Sequence, residues 1–321
     1  FKLVCGAGNE NQNEVEYLSF IYTLAGCTGF DVSANPESKS LLNHIERASI
    51  AGVVLCLNEA ESLPRALQSL DWCDELLMID SGSRDGSQAI ASSLGARVIE
   101  HRQQGRFLIT EQRNWALSHG QLQSQWVLFL DADEAISPRC RSAIEQATNQ
   151  IAAADAYELT PRYWFLGRWL KRTQGYPNWH PRLMKRGVVG FEGGVWESFT
   201  AGHSIGRIQE PYEHYAFSKG IDDWLERHKR YADWEAEKID AVLSGQGVQA
   251  LGTRRWKCLR LAMAHAWPLR PILRFSQKYV MQGGFLEGWQ GLLFALLMAG
   301  YDLITITKLI QKRRLKRGLP L

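Results

Sequence analysis

Between Ser49 and Glu134 the sequence switches repeatedly between two patterns, and this alternation limits the fold more than anything else in the 321 residues. "SIAGVVLCLN", "DELLMIDSG", "ARVIEH" and "QWVLFLDAD" are short apolar runs, too short for helices. "ESLPRALQSL", "DGSQAIASSLG" and "ITEQRNWALSHG" carry helical spacing, and the last two stop at a glycine. Strands that are almost continuously apolar and separated by helices predict an α/β fold, a mostly parallel sheet covered on both faces. Ligands of such sheets sit at the carboxyl ends of the strands. Three of these ends are polar: Asn58-Glu59, Asp80-Ser81-Gly82-Ser83 and Asp131-Ala132-Asp133.

Each strand end has both a plain and a functional reading. Asp131 and Asp133, one residue apart where a strand becomes a loop, can splay so that both carboxylates reach one hard cation. Mg²⁺ or Mn²⁺ uses one or two carboxylates and fills its other positions with phosphate oxygens and water. Plain solvation of a strand end is the alternative, and Glu134 reads as a turn acid or as one that supports its site neighbours from behind. Asp80 offers an acceptor to a base ring N–H, or else closes an Asx turn. Asp85 is placed to cap the helix that starts near Gly86. Arg113 and Asn114 lie on the helix before the fourth strand, where an arginine pairs with a base or phosphate or is simply solvated.

After Ser137 a helix, "PRCRSAIEQATNQI", precedes aromatic and arginine-rich strands and a hairpin, "DAYELTPRYWFLGRWLK" and "HPRLMKRGVVGFEGGVWESF". From Gly220 the pattern is helical, with an amphipathic period in "IDDWLERHKRYADWEAEKIDAVL". The boundaries expected are 1–48, a βαβα extension too short to close a barrel; 49–218, a catalytic domain divided at 134/135; and 219–321, a helical region. The run "GWQGLLFALLMAGY" is shorter than the roughly 20 residues of a bilayer span. It is either a core helix or, with the basic tail "KLIQKRRLKRGLP", an interfacial helix on an anionic membrane.

Hydrophobic residues at 45% and charged residues at 22% leave room for a real core. Six scattered cysteines without a C-x-x-C pair argue against a disulfide framework or zinc site and fit a reducing compartment. The sequence opens on Phe1 without a basic and apolar leader, so no signal peptide and a cytoplasmic location are expected. The missing Met suggests a fragment or a processed chain. No G-x-G-x-x-G follows the first strand, which disfavours a dinucleotide oxidoreductase. A nucleotidyltransferase would place a Gly-rich basic loop where "CLNEAESL" stands, and a phosphatase with an Asp-x-Asp nucleophile would want different residues than Ala135 and Ile136.

Together "CLNEAESLPRALQSL", "DELLMIDSGSRDGSQAIA", "QRNWAL" and "WVLFLDADEAIS" resemble the nucleotide-sugar half of family 2 glycosyltransferases, which have the GT-A fold. "YWFLGRWLK", "YPNWHPRLMKRGVVGFEGGVWESF" and "MQGGFLEGWQGLLFALLMAGY" are similar to the lipopolysaccharide core glucosyltransferase group within it. The resemblance implies an inverting transfer, glucose and UDP favoured, to a lipid-linked or lipopolysaccharide-type glycan at the inner face of the cytoplasmic membrane. It implies that Asn58, Glu59, Asp80, Ser81, Asp85, Arg113, Asn114 and Asp131 bind the nucleotide sugar, Asp80 at the uracil. Asp131 and Asp133 would hold the divalent metal on the diphosphate, with His214 a further candidate. Glu197 would be the general base, with Glu192 as its competitor; Trp196 stands where relatives often carry His. Arg162, Arg168, Lys171, Arg172 and Arg182, interleaved with aromatics, would face an anionic glycolipid rather than nucleic acid. A donor site decayed into a membrane-associated scaffold is the non-enzymatic alternative.

Overall fold

The computed structural model describes residues 2–4, 29–31, 47–105, 107–150, 152–193, 197–245 and 265–321. Strands β1 (Lys2–Val4) and β2 (Gly29–Asp31) pair in parallel. The two helices expected in the first 48 residues lie outside the described residues.

The predicted alternation then appears in order. It runs β3 (Ile50–Cys56), α1 (Leu63–Gln68), β4 (Glu75–Asp80), α2 (Ser87–Ser93), β5 (Arg97–Glu100), α3 (Ile109–His119) and β6 (Trp126–Asp131). The order in the sheet is β5-β4-β3-β6, all parallel. Every residue of β3 is buried because helices cover both faces. Ile50, Val54, Met78, Leu128 and Leu130 face α1 and α2, while Val53, Leu77, Ile79, Val127 and Phe129 face α3. Burial of each such side chain contributes about 1.5–3 kcal/mol.

The second half completes the sheet with mixed strands. β7 (Glu134–Ala135) and α4 (Pro138–Thr148) lead to β8 (Ala156–Phe165), β9 (Arg168–Trp169) and β10 (His180–Lys185). The hairpin β11 (Phe191–Gly193) and β12 (Glu197–Phe199) follows, then β13 (Ile205–His214). Beyond β6 the order is β10-β8-β13-β7, with β10 antiparallel to both β6 and β8. Ser137 starts α4 by accepting the Cys140 amide at 3.2 Å, an N-cap that satisfies a donor the helix leaves free. Its Cys140 and Ile144 join the same core face as α1.

The helical region contains α5 (Gly220–Leu243), α6 (Arg270–Phe275) and α7 (Gly288–Lys316). A π turn and a 3₁₀ turn (Gly284–Glu287) link the last two. Phe294 of α7 packs with Phe165 and Leu170 beside the end of β8, and Leu309 packs on Ala236 and Ile239 of α5. The chain is thus a mixed α/β protein with a helical C-terminal region seated on its sheet.

Candidate active site

Strand register assembles the site. Cys56 lies opposite Asp80, and Leu55 opposite Asp131, so β4 and β6 end on either side of β3. The loop after β4 folds onto its own acid. Asp80, fully buried, accepts the amides of Gly82 at 3.1 Å and Ser83 at 2.9 Å, the Ser83 hydroxyl, and Gln88 Nε2 at 2.7 Å. Gly82 supports this turn at φ 101°, which few other residues adopt. Asp80 therefore closes the Asx turn that the sequence offered as its plain reading.

Neighbouring residues tie the first and second loops together. Asn58, at φ 54°, accepts the Arg84 amide at 2.8 Å and donates its own to Ser83 Oγ at 2.8 Å. Asp85 accepts the Ser87 amide at 3.1 Å from just before the N-cap residue Gly86, and also the Ala60 amide at 2.9 Å. Burial raises its pKa, and the bonds from Ser87 and Ala60 more than offset this, so it falls below the usual range. Glu59 pairs with Lys219 and has its pKa raised by burial. Ser81 donates its amide to the Cys56 carbonyl at 2.9 Å.

Asp131 and Asp133 stand at the next strand end, each among cations. Asp131 lies 3.0 Å from Arg113 and 3.5 Å from Arg182. Asp133 meets His214 Nε2 at 3.5 Å and Arg227 at 3.8 Å, both through Oδ2. Burial opposes ionisation of both acids. The guanidiniums of Arg113 and Arg182 nevertheless hold Asp131 below its ordinary pKa, and His214 brings Asp133 down to about 2. Burial alone would lower His214, but Asp133 raises it. His214 thus stands as a counter-charge to Asp133, with its Nδ1 3.6 Å from Glu134.

The arginines make a closed ring that the sequence did not display. Arg113, fully buried, bonds Asp131 with one nitrogen and Glu197 with another. Arg182 joins Glu197 at 2.8 Å, Glu134 at 2.8 Å and Asp131. Glu134 is 1% exposed and accepts the Asp131 amide at 3.0 Å. It is buried behind Asp131 and supports that residue and Arg182, the second of the two readings the sequence allowed. Arg182 likewise belongs to this interior and not to an acceptor-facing surface. Asn114 turns from the donor loops to β11, accepting the Phe191 amide and donating to its carbonyl, both at 2.9 Å. Glu192 is exposed on β11. His180 went unnoticed in the sequence: its Nε2 is buried without a partner, and burial beside Arg182 lowers its pKa to about 3.

The donor set fits a hard cation. Two carboxylates at one strand end could offer oxygen ligands, and Asp131 keeps a third of its side chain open. Among the described residues no three or more His, Cys, Asp or Glu side chains gather as a metal cage. Four carboxylates (Asp131, Asp133, Glu134, Glu197) meet three guanidiniums (Arg113, Arg182, Arg227) and His214.

Residues 53–212, half of the chain, match the sequence model "Glycosyl transferase family 2". The chain is 23% identical to "Lipopolysaccharide core biosynthesis glycosyltransferase LpsC" of Rhizobium meliloti, over 85% of this chain and 96% of that protein. It is 40% identical to a TPR repeat-containing protein of Synechococcus elongatus, across 28% of this chain and only 22% of that one. An uncharacterized glycosyltransferase of Rickettsia felis is 35% identical over 30% of this chain and 32% of its own length. Among solved structures, S. aureus TarS 1–349 shares 13% identity at a TM-score of 0.40, over 84% of this chain and 92% of that one; so distant a likeness carries no argument about the site. The ordered strand ends and the matched sequence together establish that this chain is a glycosyltransferase and belongs to glycosyl transferase family 2.

Proposed function

We propose that this glycosyltransferase moves a sugar, with inversion, from a nucleotide-sugar donor to a lipid-linked or lipopolysaccharide-type glycan at a membrane surface. UDP and glucose are favoured by the family resemblance, and the acceptor class by the near full-length likeness to LpsC. The observation that carries the reading is Arg113. It bonds both Asp131, at the end of a donor-half strand, and Glu197, on the acceptor-half hairpin.

Asp131 and Asp133 would hold Mg²⁺ or Mn²⁺, and a bound ion would neutralise charge on the leaving diphosphate. Asn58, Glu59, Ser81 and Asp85 would shape the nucleotide loop, with Asp80 holding that loop rather than offering a free oxygen. Glu197, held between Arg113 and Arg182, would take the proton of the acceptor hydroxyl. That oxygen then bonds the anomeric carbon as the carbon–oxygen bond to the diphosphate breaks and the nucleoside diphosphate leaves. Arg182 would steady the same carboxylate.

A panel of UDP-, GDP- and dTDP-sugars, each with and without Mn²⁺, tests donor and metal together. Hydrolysis or transfer with one nucleotide, dependent on Mn²⁺ and lost in Asp133→Ala, is expected. Full activity of Asp133→Ala would remove the metal assignment. Glu197→Gln should abolish transfer yet keep UDP binding by calorimetry, whereas Glu192→Gln should keep most transfer. The reverse pattern would make Glu192 the base.

A further inference from the structure

Helix α7 shows two unlike faces. One is tied to α5 by Lys308–Asp233, Lys312–Glu237 and Lys316–Asp240, each at 2.6 Å. Midway along it Asp302, 1% exposed, is held by Arg270 at 3.1 Å and Arg274 at 2.9 Å. The other face is apolar and open. Trp289 is 61% exposed and Leu296 is 50% exposed, with Leu293 between them. Leu303 and Ile310 continue the stripe at intervals of seven, which keeps them on the same side of a helix. Phe285 and Leu286 extend it at the helix start, where Met281 is also strongly exposed.

The window around α7 is apolar and long enough to cross a bilayer, and a third of it is buried in the fold. The ion pairs of Asp302 with Arg270 and Arg274 argue against crossing, because those charges would have to enter hydrocarbon. Residues 270–321 contain nine Lys and Arg and only two acids, Glu287 and Asp302, and both acids are buried. At the apolar end, exposed Arg168, Lys171 and Arg172 make no ion pair among the described residues. Arg168 bonds the Leu286 carbonyl at 3.3 Å. An apolar stripe with unpaired cations at its rim complements a surface that is apolar beneath and anionic above.

We propose that this face of α7, centred on Phe285, Trp289, Leu293 and Leu296, lies in the plane of an anionic bilayer, with Arg168, Lys171 and Arg172 at its headgroups. This rests on the reading of a membrane-borne acceptor and specifies how the enzyme meets it. Glu287 fixes the docking face to the catalytic half. It accepts the amides of Arg172 at 2.6 Å and Thr173 at 3.0 Å, and the Thr173 hydroxyl at 2.6 Å. Lys278 reinforces the tie by donating to the Thr173 carbonyl at 2.6 Å. The loop carrying the rim cations therefore moves with the helix that would enter the lipid.

Co-sedimentation of the full chain with phosphatidylglycerol/phosphatidylcholine vesicles tests this. Binding at least tenfold tighter than to phosphatidylcholine alone, and weakened by salt, is expected. Trp289→Asp with Leu293→Asp should reduce it at least tenfold, and Lys171→Glu with Arg172→Glu should erase the preference for anionic lipid. Both double variants should retain donor hydrolysis, which shows that they fold. Equal binding by wild type and variants would overturn the proposal. So would retention in the membrane after high-salt and alkaline washing, since that marks a spanning helix. A stable dimer by light scattering, dispersed by Trp289→Asp, would show a second copy on this face and also overturn it. Vesicle binding without any glycosyl transfer would instead leave the surface in place and remove the proposed acceptor reaction.

Discussion

Arg182 shows what one residue contributes to this centre. Its guanidinium serves Glu134, Glu197 and Asp131 in a nearly dry pocket, and these carboxylates raise its pKa against the effect of burial. Replacing it by Met leaves buried acids unpaired, a change that costs about 3–5 kcal/mol. Urea unfolding of Arg182→Met should show a loss of that size. Arg182→Lys keeps the charge but not the fork that spans separate oxygens. It should fold yet lose roughly a hundredfold in kcat, the value of about 2–3 kcal/mol of misplaced charge. Retained activity in the lysine variant would mean that charge alone is required. The sequence could not single out Arg182, because an arginine two residues from His180 looks the same on a wet surface as in a buried ring. Asp131 and Asp133 were legible because adjacent strand ends converge whatever the side chains do. The burial of Glu134 was not, since only tertiary packing turns it inward.

At the scale of elements, the short helix before β6 does more than cover the sheet. Asn114 on α3 grips both backbone groups of Phe191, while Arg113 beside it grips Glu197 at the start of β12. One helix thus sets the position of the whole β11–β12 hairpin. Asn114→Ala leaves two backbone groups to find new partners, at about 1–3 kcal/mol. Faster hydrogen exchange at the Phe191 amide should accompany it. The expected kinetic signature is a lower kcat with little change in donor KM, because the donor loops after β3 and β4 do not touch Asn114. A donor KM that rises with unchanged kcat would instead return Asn114 to the nucleotide site. The α/β alternation that frames this hairpin was readable, since strands buried on both faces must be continuously apolar. The placement of β13 between β8 and β7 was not, because sequence periodicity does not say which distant strand becomes a neighbour.

For the molecule as a whole, α5 and α7 meet at a group whose ionisation differs between folded and unfolded chain. His228 on α5 stacks on Trp224 at 3.6 Å, hydrogen-bonds its carbonyl at 2.8 Å and meets Tyr231 and Tyr301. Burial, with a smaller contribution from Arg227, lowers its pKa to about 4. The unfolded chain titrates near 6.5, so between these values it binds a proton that the folded chain refuses. Stability from His228 is therefore complete above about pH 6.5 and is lost as pH falls toward 4, by at most about 3 kcal/mol. His180 acts in the same sense, with its pKa near 3. His214 acts in the opposite sense: its pKa is raised, so its contribution is complete in acid and fades as pH rises. His228→Gln keeps a donor for the Trp224 carbonyl and removes the titration. Thermal melts at pH 7 and pH 4.5 should show wild type losing several degrees more than His228→Gln, a gap that equal acid sensitivity of the two proteins would rule out. Because α7 supplies Tyr301 to the same pocket, the acid transition should loosen the seating of the C-terminal helix, detectable as faster hydrogen exchange along α5 and α7 before the parallel strands β3, β4 and β6 exchange.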